Sequence, residues 1–87
     1  MADEEKKLIG KISHYYVKIG VAVVELTDKL SVGDRISIEG VVTNLQQTVD
    51  SIEIEHQKIQ TAKAGDAIGL LVKDRVREGD AVYKILG

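Results

Sequence analysis

The chain has 87 residues, a formal net charge of −2 and a pI near 5.6. That length fits one domain, and the charge argues against a free-standing protein that grips nucleic acid through its phosphates, since such proteins are usually strongly basic. Cysteine is absent, which excludes disulfides, thiolate metal sites and a cysteine nucleophile.

The first seven residues, Met1-Ala2-Asp3-Glu4-Glu5-Lys6-Lys7, read as a disordered charged tail. They lack the apolar core of a secretory signal, and no later stretch is long and apolar enough to cross a bilayer as a helix. The expectation is a cytoplasmic protein with no membrane partner, whose single domain covers 8–87. Strand signals begin at Leu8 and run to Tyr16, and a strongly apolar run, Val21 to Leu26, supplies a second strand. Arg35-Ile36-Ser37-Ile38-Glu39 alternates cleanly before Gly40, and Val41-Val42-Thr43 reads as the start of another short strand. Val49 to His56 alternates as well, placing Ile52 and Ile54 inward and Glu53 and Glu55 outward. Gln57 to Lys63 reads as a loop, and two last strands are expected near 67–73 and 80–86.

Gly-Asp punctuates this pattern three times, at Gly33-Asp34, Gly65-Asp66 and Gly79-Asp80, each followed by apolar residues mostly two apart. Gly accepts positive φ and Asp bonds nearby backbone amides, so each phrase marks a tight reversal. Six or seven short strands at spacings of about ten residues, with no convincing helix, give an all-β chain, a sandwich or a barrel.

The order of these pieces resembles the second domain of the translation GTPases, elongation factor Tu and its archaeal and eukaryotic counterpart. Gly20-Val21-Ala22-Val23-Val24-Glu25, then Val32-Gly33-Asp34, then Ile36 to Gly40 match that family's opening strands. Ser51-Ile52-Glu53-Ile54-Glu55-His56, Ala62-Lys63-Ala64-Gly65-Asp66-Ala67-Ile68-Gly69 and Glu78-Gly79-Asp80-Ala81-Val82 are similar to its later ones. The resemblance implies a small closed antiparallel barrel of six or seven strands. It also implies a non-catalytic binding module near translation or RNA, with tRNA or ribosomal components as partners. Two departures stand out. Ile19 occupies the place of the family's Arg before Gly20, and there is no Gly-x-x-x-x-Gly-Lys-Ser/Thr loop, so no nucleotide is expected. Similar barrels also occur appended to unrelated enzymes, including a peptidase family's C-terminal domain. The alternative is therefore a protein-interaction or structural subunit that docks on a larger enzyme or on itself.

No enzymatic role and no cofactor are expected. His14 and His56 lack metal-ligand spacing and a nucleophile motif, and read as surface histidines. Glu53 and Glu55 read as a solvated strand face rather than an acid–base pair. Lys73, Arg75 and Arg77 share a face if the strand continues to Arg77, where they suit phosphate or an acidic protein; otherwise they sit in a surface hairpin of mixed charge. In His14-Tyr15-Tyr16-Val17-Lys18, adjacent residues point to opposite faces, so one Tyr belongs to the core and the other lies exposed beside His or Lys. The strand matching Ile52 to His56 contributes to the aminoacyl-tRNA surface of the resembling domains, which singles out Glu53 and His56. The candidate binding surface is thus His14, Tyr15, Lys18, Glu53, His56, Lys73, Arg75 and Arg77.

Overall fold

The structure, a computed structural model, describes residues 5–86, which hold ten strands and no helix. These are β1 (Lys6–Tyr16), β2 (Val21–Leu26), β3 (Leu30–Ser31), β4 (Arg35–Glu39), β5 (Asn44–Thr48), β6 (Ile52–Ile54), β7 (Gln57–Ile59), β8 (Thr61–Ala62), β9 (Ala67–Leu71) and β10 (Ala81–Ile85). Eight of them form one antiparallel sheet in the order β5-β4-β10-β1-β2-β9-β6-β7, and β3 pairs with β8. The all-β expectation holds. The closed barrel of six or seven strands does not: the ladder runs from β5 to β7, and those two ends do not pair.

The sheet curls so that its inner face meets itself. Ile9 and Ile12 of β1, Val24 of β2, Ile36 and Ile38 of β4, Ile52 of β6, Leu70 of β9 and Val82 of β10 join one buried cluster. Burying β-branched side chains on a pleated face is the main stabilising term here. At one point the curl is fastened by a side chain instead of a ladder. Gln47 on β5 is buried, its Nε2 donates to the Leu71 carbonyl at 2.9 Å, and its Oε1 accepts from the Lys73 N–H at 2.9 Å. One amide therefore makes the donor-and-acceptor pair that a neighbouring strand's peptide group would make. Among the described residues, no buried side-chain nitrogen or oxygen is left without a partner.

The three Gly-Asp phrases are one turn made three times. Asp34, Asp66 and Asp80 each donate their N–H to the carbonyl three residues back, on Ser31, Lys63 and Arg77, at 3.1 Å. Gly33, Gly65 and Gly79 take φ of 97°, 94° and 91°, the positive value that the third residue of such a turn needs. Each Asp carboxylate then accepts from the N–H of the turn's first residue, at 2.8–3.0 Å. Each turn also clips onto one passing residue. The Gly N–H donates to, and the Asp carbonyl accepts from, Val49, Leu26 and Ile12 in turn, all three of them core residues.

Other expectations are corrected. Gln57 to Lys63, read as a loop, contains β7 and β8, while Val41 and Val42 lie exposed in a turn where the Gly40 N–H donates to Thr43 O. Lys6 and Lys7, assigned to the tail, are the first residues of β1, opposite Ile85 and Lys84; residues 1–4 of that expected tail lie outside the described residues. Among the described residues, no helix is long and apolar enough to cross a membrane.

Candidate functional site

The outer face of β1, β2, β9 and β6 carries two cross-strand rows. His14, Val23, Gly69 and Glu53 lie opposite one another in the first, and Tyr16, Val21 and Leu71 in the second. Both exist because β1 shifts register between Ile12 and His14. That bulge lets Ile12 face the core and His14 face out, although strict alternation would give them the same face. The same shift settles the tyrosine pair. Tyr15 packs against the core, and Tyr16 is 49% exposed.

Along these rows lies a groove of about 520 Å³. Val21 and Val23 with Ala67 and Gly69 line its floor, and the missing side chain at Gly69 deepens it. Tyr16 and Ile19 border the β1 side, and Glu53, Glu55 and His56 border the β6 side. The Tyr16 ring is propped by His14, whose ring meets it edge-on with centroids 4.4 Å apart, while His14 Nδ1 lies 3.1 Å from Glu78 Oε2. Glu55 and His56 form the two-residue turn joining β6 and β7, with φ of 50° and 66°. A left-handed conformation is unfavourable for both side chains, so this turn holds carboxylate and imidazole beside the groove at a cost in backbone strain.

Of the expected surface residues, Glu53 and His56 line the groove, and His14 flanks it through Tyr16. Tyr15 belongs to the core edge, and Lys18 is exposed in the turn after β1. Lys73, Arg75 and Arg77 do not share a strand face, because β9 ends at Leu71. Arg75 and Arg77 instead line a separate depression with Val42, Thr43, Asn44, Leu45 and Asp74. One tyrosine of the Tyr15-Tyr16 pair was expected on the surface beside His14, with Tyr15 as the candidate, and the bulge reverses the pair; Ile19, read only as a departure before Gly20, joins Tyr16 at the groove. A larger depression, about 610 Å³, runs over Gly10, Ala67, Ala81 and two of the Gly-Asp turns, and contains none of the candidate residues. Among the described residues, no group of three or more His, Asp or Glu is placed to hold a metal ion.

No family model matches the chain. Over 76 residues, 86% of its length, it is 40% identical to part of an uncharacterized protease of Methanocaldococcus jannaschii. It is also 35% identical over 85 residues, 95% of its length, to part of a collagenase of Porphyromonas gingivalis. The chain spans about a fifth of the length of these curated relatives (19% and 20%). A solved structure, the C-terminal domain of a putative U32 peptidase of Geobacillus thermoleovorans, superposes with a TM-score of 0.86 at 19% identity, covering 92% of this chain and 93% of that one. The chain shares its fold with that peptidase domain.

These likenesses overturn the resemblance to the translation GTPases, and with it the reading as a translation- or RNA-associated module. The expectation of no enzymatic role is corrected too, because the curated relatives that the chain matches in part are named protease and collagenase. The physical source of the error is visible. The Gly-Asp phrases that carried the resemblance are a turn-and-clip solution to curling a small sheet, and they report architecture rather than task.

Proposed function

We propose that the chain works in protein breakdown as the β module of a peptidase, presenting a polypeptide-facing surface beside a hydrolytic unit. The observation that carries this is the 40% identity, over 86% of the chain, to part of a protein named as a protease. Two further points support it. The collagenase likeness extends over 95% of the chain, and the fold is that of a domain described as the C-terminal part of a putative peptidase. In this reading the curled, barrel-like sheet is a rigid body, and the exposed groove at Tyr16 is the surface it offers.

A replacement experiment tests it. The region of the Porphyromonas gingivalis collagenase that matches this chain is deleted, or exchanged for this chain, and gelatin hydrolysis is measured. The deletion should lower hydrolysis and the exchange should restore it. A folded deletion variant that cleaves gelatin at full rate overturns the reading. So does a folded chimera no better than the deletion.

A further inference from the structure

The groove has two unlike walls. On the β1 side, Tyr16 and Ile19 leave 49% and 64% of their surfaces open to solvent, so apolar area and an aromatic ring are available to a ligand. On the β6 side stand Glu53 and Glu55, and none of the salt bridges among the described residues involves either carboxylate. The other titratable side chains of the groove are His56 on the same wall and the Tyr16 phenol opposite, and Lys58 stands opposite Glu53 in the β6–β7 register. The floor between the walls is Val21, Val23, Ala67 and Gly69, with no charged side chain.

A side chain suited to this arrangement has a long apolar stem and a cationic head. Arginine fits better than lysine, because a planar guanidinium both stacks on an aromatic ring and forks onto carboxylates. The two carboxylates are equally ill-suited to a phosphate backbone, which they repel. We infer that the groove holds an extended polypeptide through an arginine, its stem on Val21, Val23 and Gly69, its guanidinium between the Tyr16 ring and the Glu53 and Glu55 carboxylates. The choice of a polypeptide as ligand rests on the peptidase reading; the choice of arginine rests on the groove.

The test uses fluorescein-labelled extended nonapeptides that differ at one central position, which is arginine, its neutral isostere citrulline, or glutamate. Fluorescence anisotropy follows their binding to the purified chain at low salt. The arginine peptide should bind about five- to tenfold more tightly than the citrulline peptide, the margin of charge-assisted over neutral hydrogen bonding, and the glutamate peptide more weakly still. In Glu53→Gln/Glu55→Gln the margin should fall towards one while citrulline binding persists. Tyr16→Ala should weaken both peptides. All three positions are solvent-exposed, so these variants keep the fold. Equal binding of the arginine and citrulline peptides overturns the inference and leaves the peptidase reading to stand or fall on the chimera. A margin that survives the double substitution overturns it as well, as does absence of saturable binding, or an RNA oligonucleotide that displaces the arginine peptide.

Discussion

Two kinds of reversal among the described residues, the Gly-Asp turns and the β6–β7 turn, solve the same backbone problem differently. The Gly-Asp turns put a glycine where φ must be positive and use the aspartate to close the turn on itself. The β6–β7 turn demands positive φ at two successive positions and fills them with Glu55 and His56. The first kind clips onto Val49, Leu26 and Ile12, and so holds the core; the second rims the Tyr16 groove. Glycine fills the positive-φ position of the three core clips, whereas Glu55 and His56 fill those of the β6–β7 turn beside the groove. Strain beside a groove is a pointer to function; a satisfied glycine turn points to folding.

The contrast is broken most severely at Asp80. Its carboxylate is buried, accepts from the Arg77 N–H at 2.8 Å, and lies against Gly40, where any Cβ would collide with it. Asp80→Ala should cost about 2–3 kcal/mol in urea unfolding, since it removes a buried carboxylate and takes the charged acceptor from the part-buried Arg77 N–H. Asp66→Ala, at the equivalent but more exposed turn, should cost about 1 kcal/mol. Equal losses at the two turns would show that burial does not grade them. Next comes Gly65→Ala. A Cβ there meets nothing within 4 Å, so the expected loss of about 1–2 kcal/mol is the left-handed backbone alone.

The opposite sign is expected at the other turn. Replacing Glu55-His56 by Asn-Gly, the pair this hairpin geometry prefers, should raise stability by about 1 kcal/mol and erase part of the arginine preference. A double substitution that leaves thermal stability unchanged would mean that no strain is held there.

The smallest effect concerns pH. The Lys7 ammonium, then the Lys29 N–H, hold Asp28 below its ordinary value, and the Lys6 ammonium, then the Ser37 hydroxyl, do the same for Glu39. A lowered folded-state pKa gives stability that is present above the unfolded value, and that stability is lost as pH falls through the folded one. The melting temperature should therefore dip slightly below about pH 4. Glu39→Gln should shrink that dip, and an identical pH profile in the variant would remove Glu39 from the account.

The legible parts of the sequence were those governed by strict local rules. Ile36 and Ile38 alternate and are buried, and each Gly-Asp phrase is a turn. Ile52 faces in while Glu53 and Glu55 stay exposed, as alternation required. The illegible parts were those where tertiary context overrides period or polarity. β5 reads Asn-Leu-Gln-Gln-Thr, and its ladder with β4 makes so polar a run a strand, while the amide bridge from Gln47 to Leu71 and Lys73 explains the buried glutamine. The register shift after Ile12 turned Tyr16 outward, which no period-two count could reveal. Glu53 and His56 were therefore legible as exposed residues of one strand end, and an exposed tyrosine was expected too, but as Tyr15 where the bulge turns out Tyr16.

The pairing of β1 with β10 sets Lys6 opposite Ile85 in antiparallel register. Tension applied between those two positions would load the β1–β10 ladder one hydrogen bond at a time, in the manner of a zipper, rather than shearing all its bonds together. The body of the sheet would meanwhile stay fastened by its three turn clips and the Gln47 amide. Mechanically, the chain combines a pair of strand ends that part easily with a stiff frame, so a pull at residues 6 and 85 would be absorbed before it reached the Tyr16 groove.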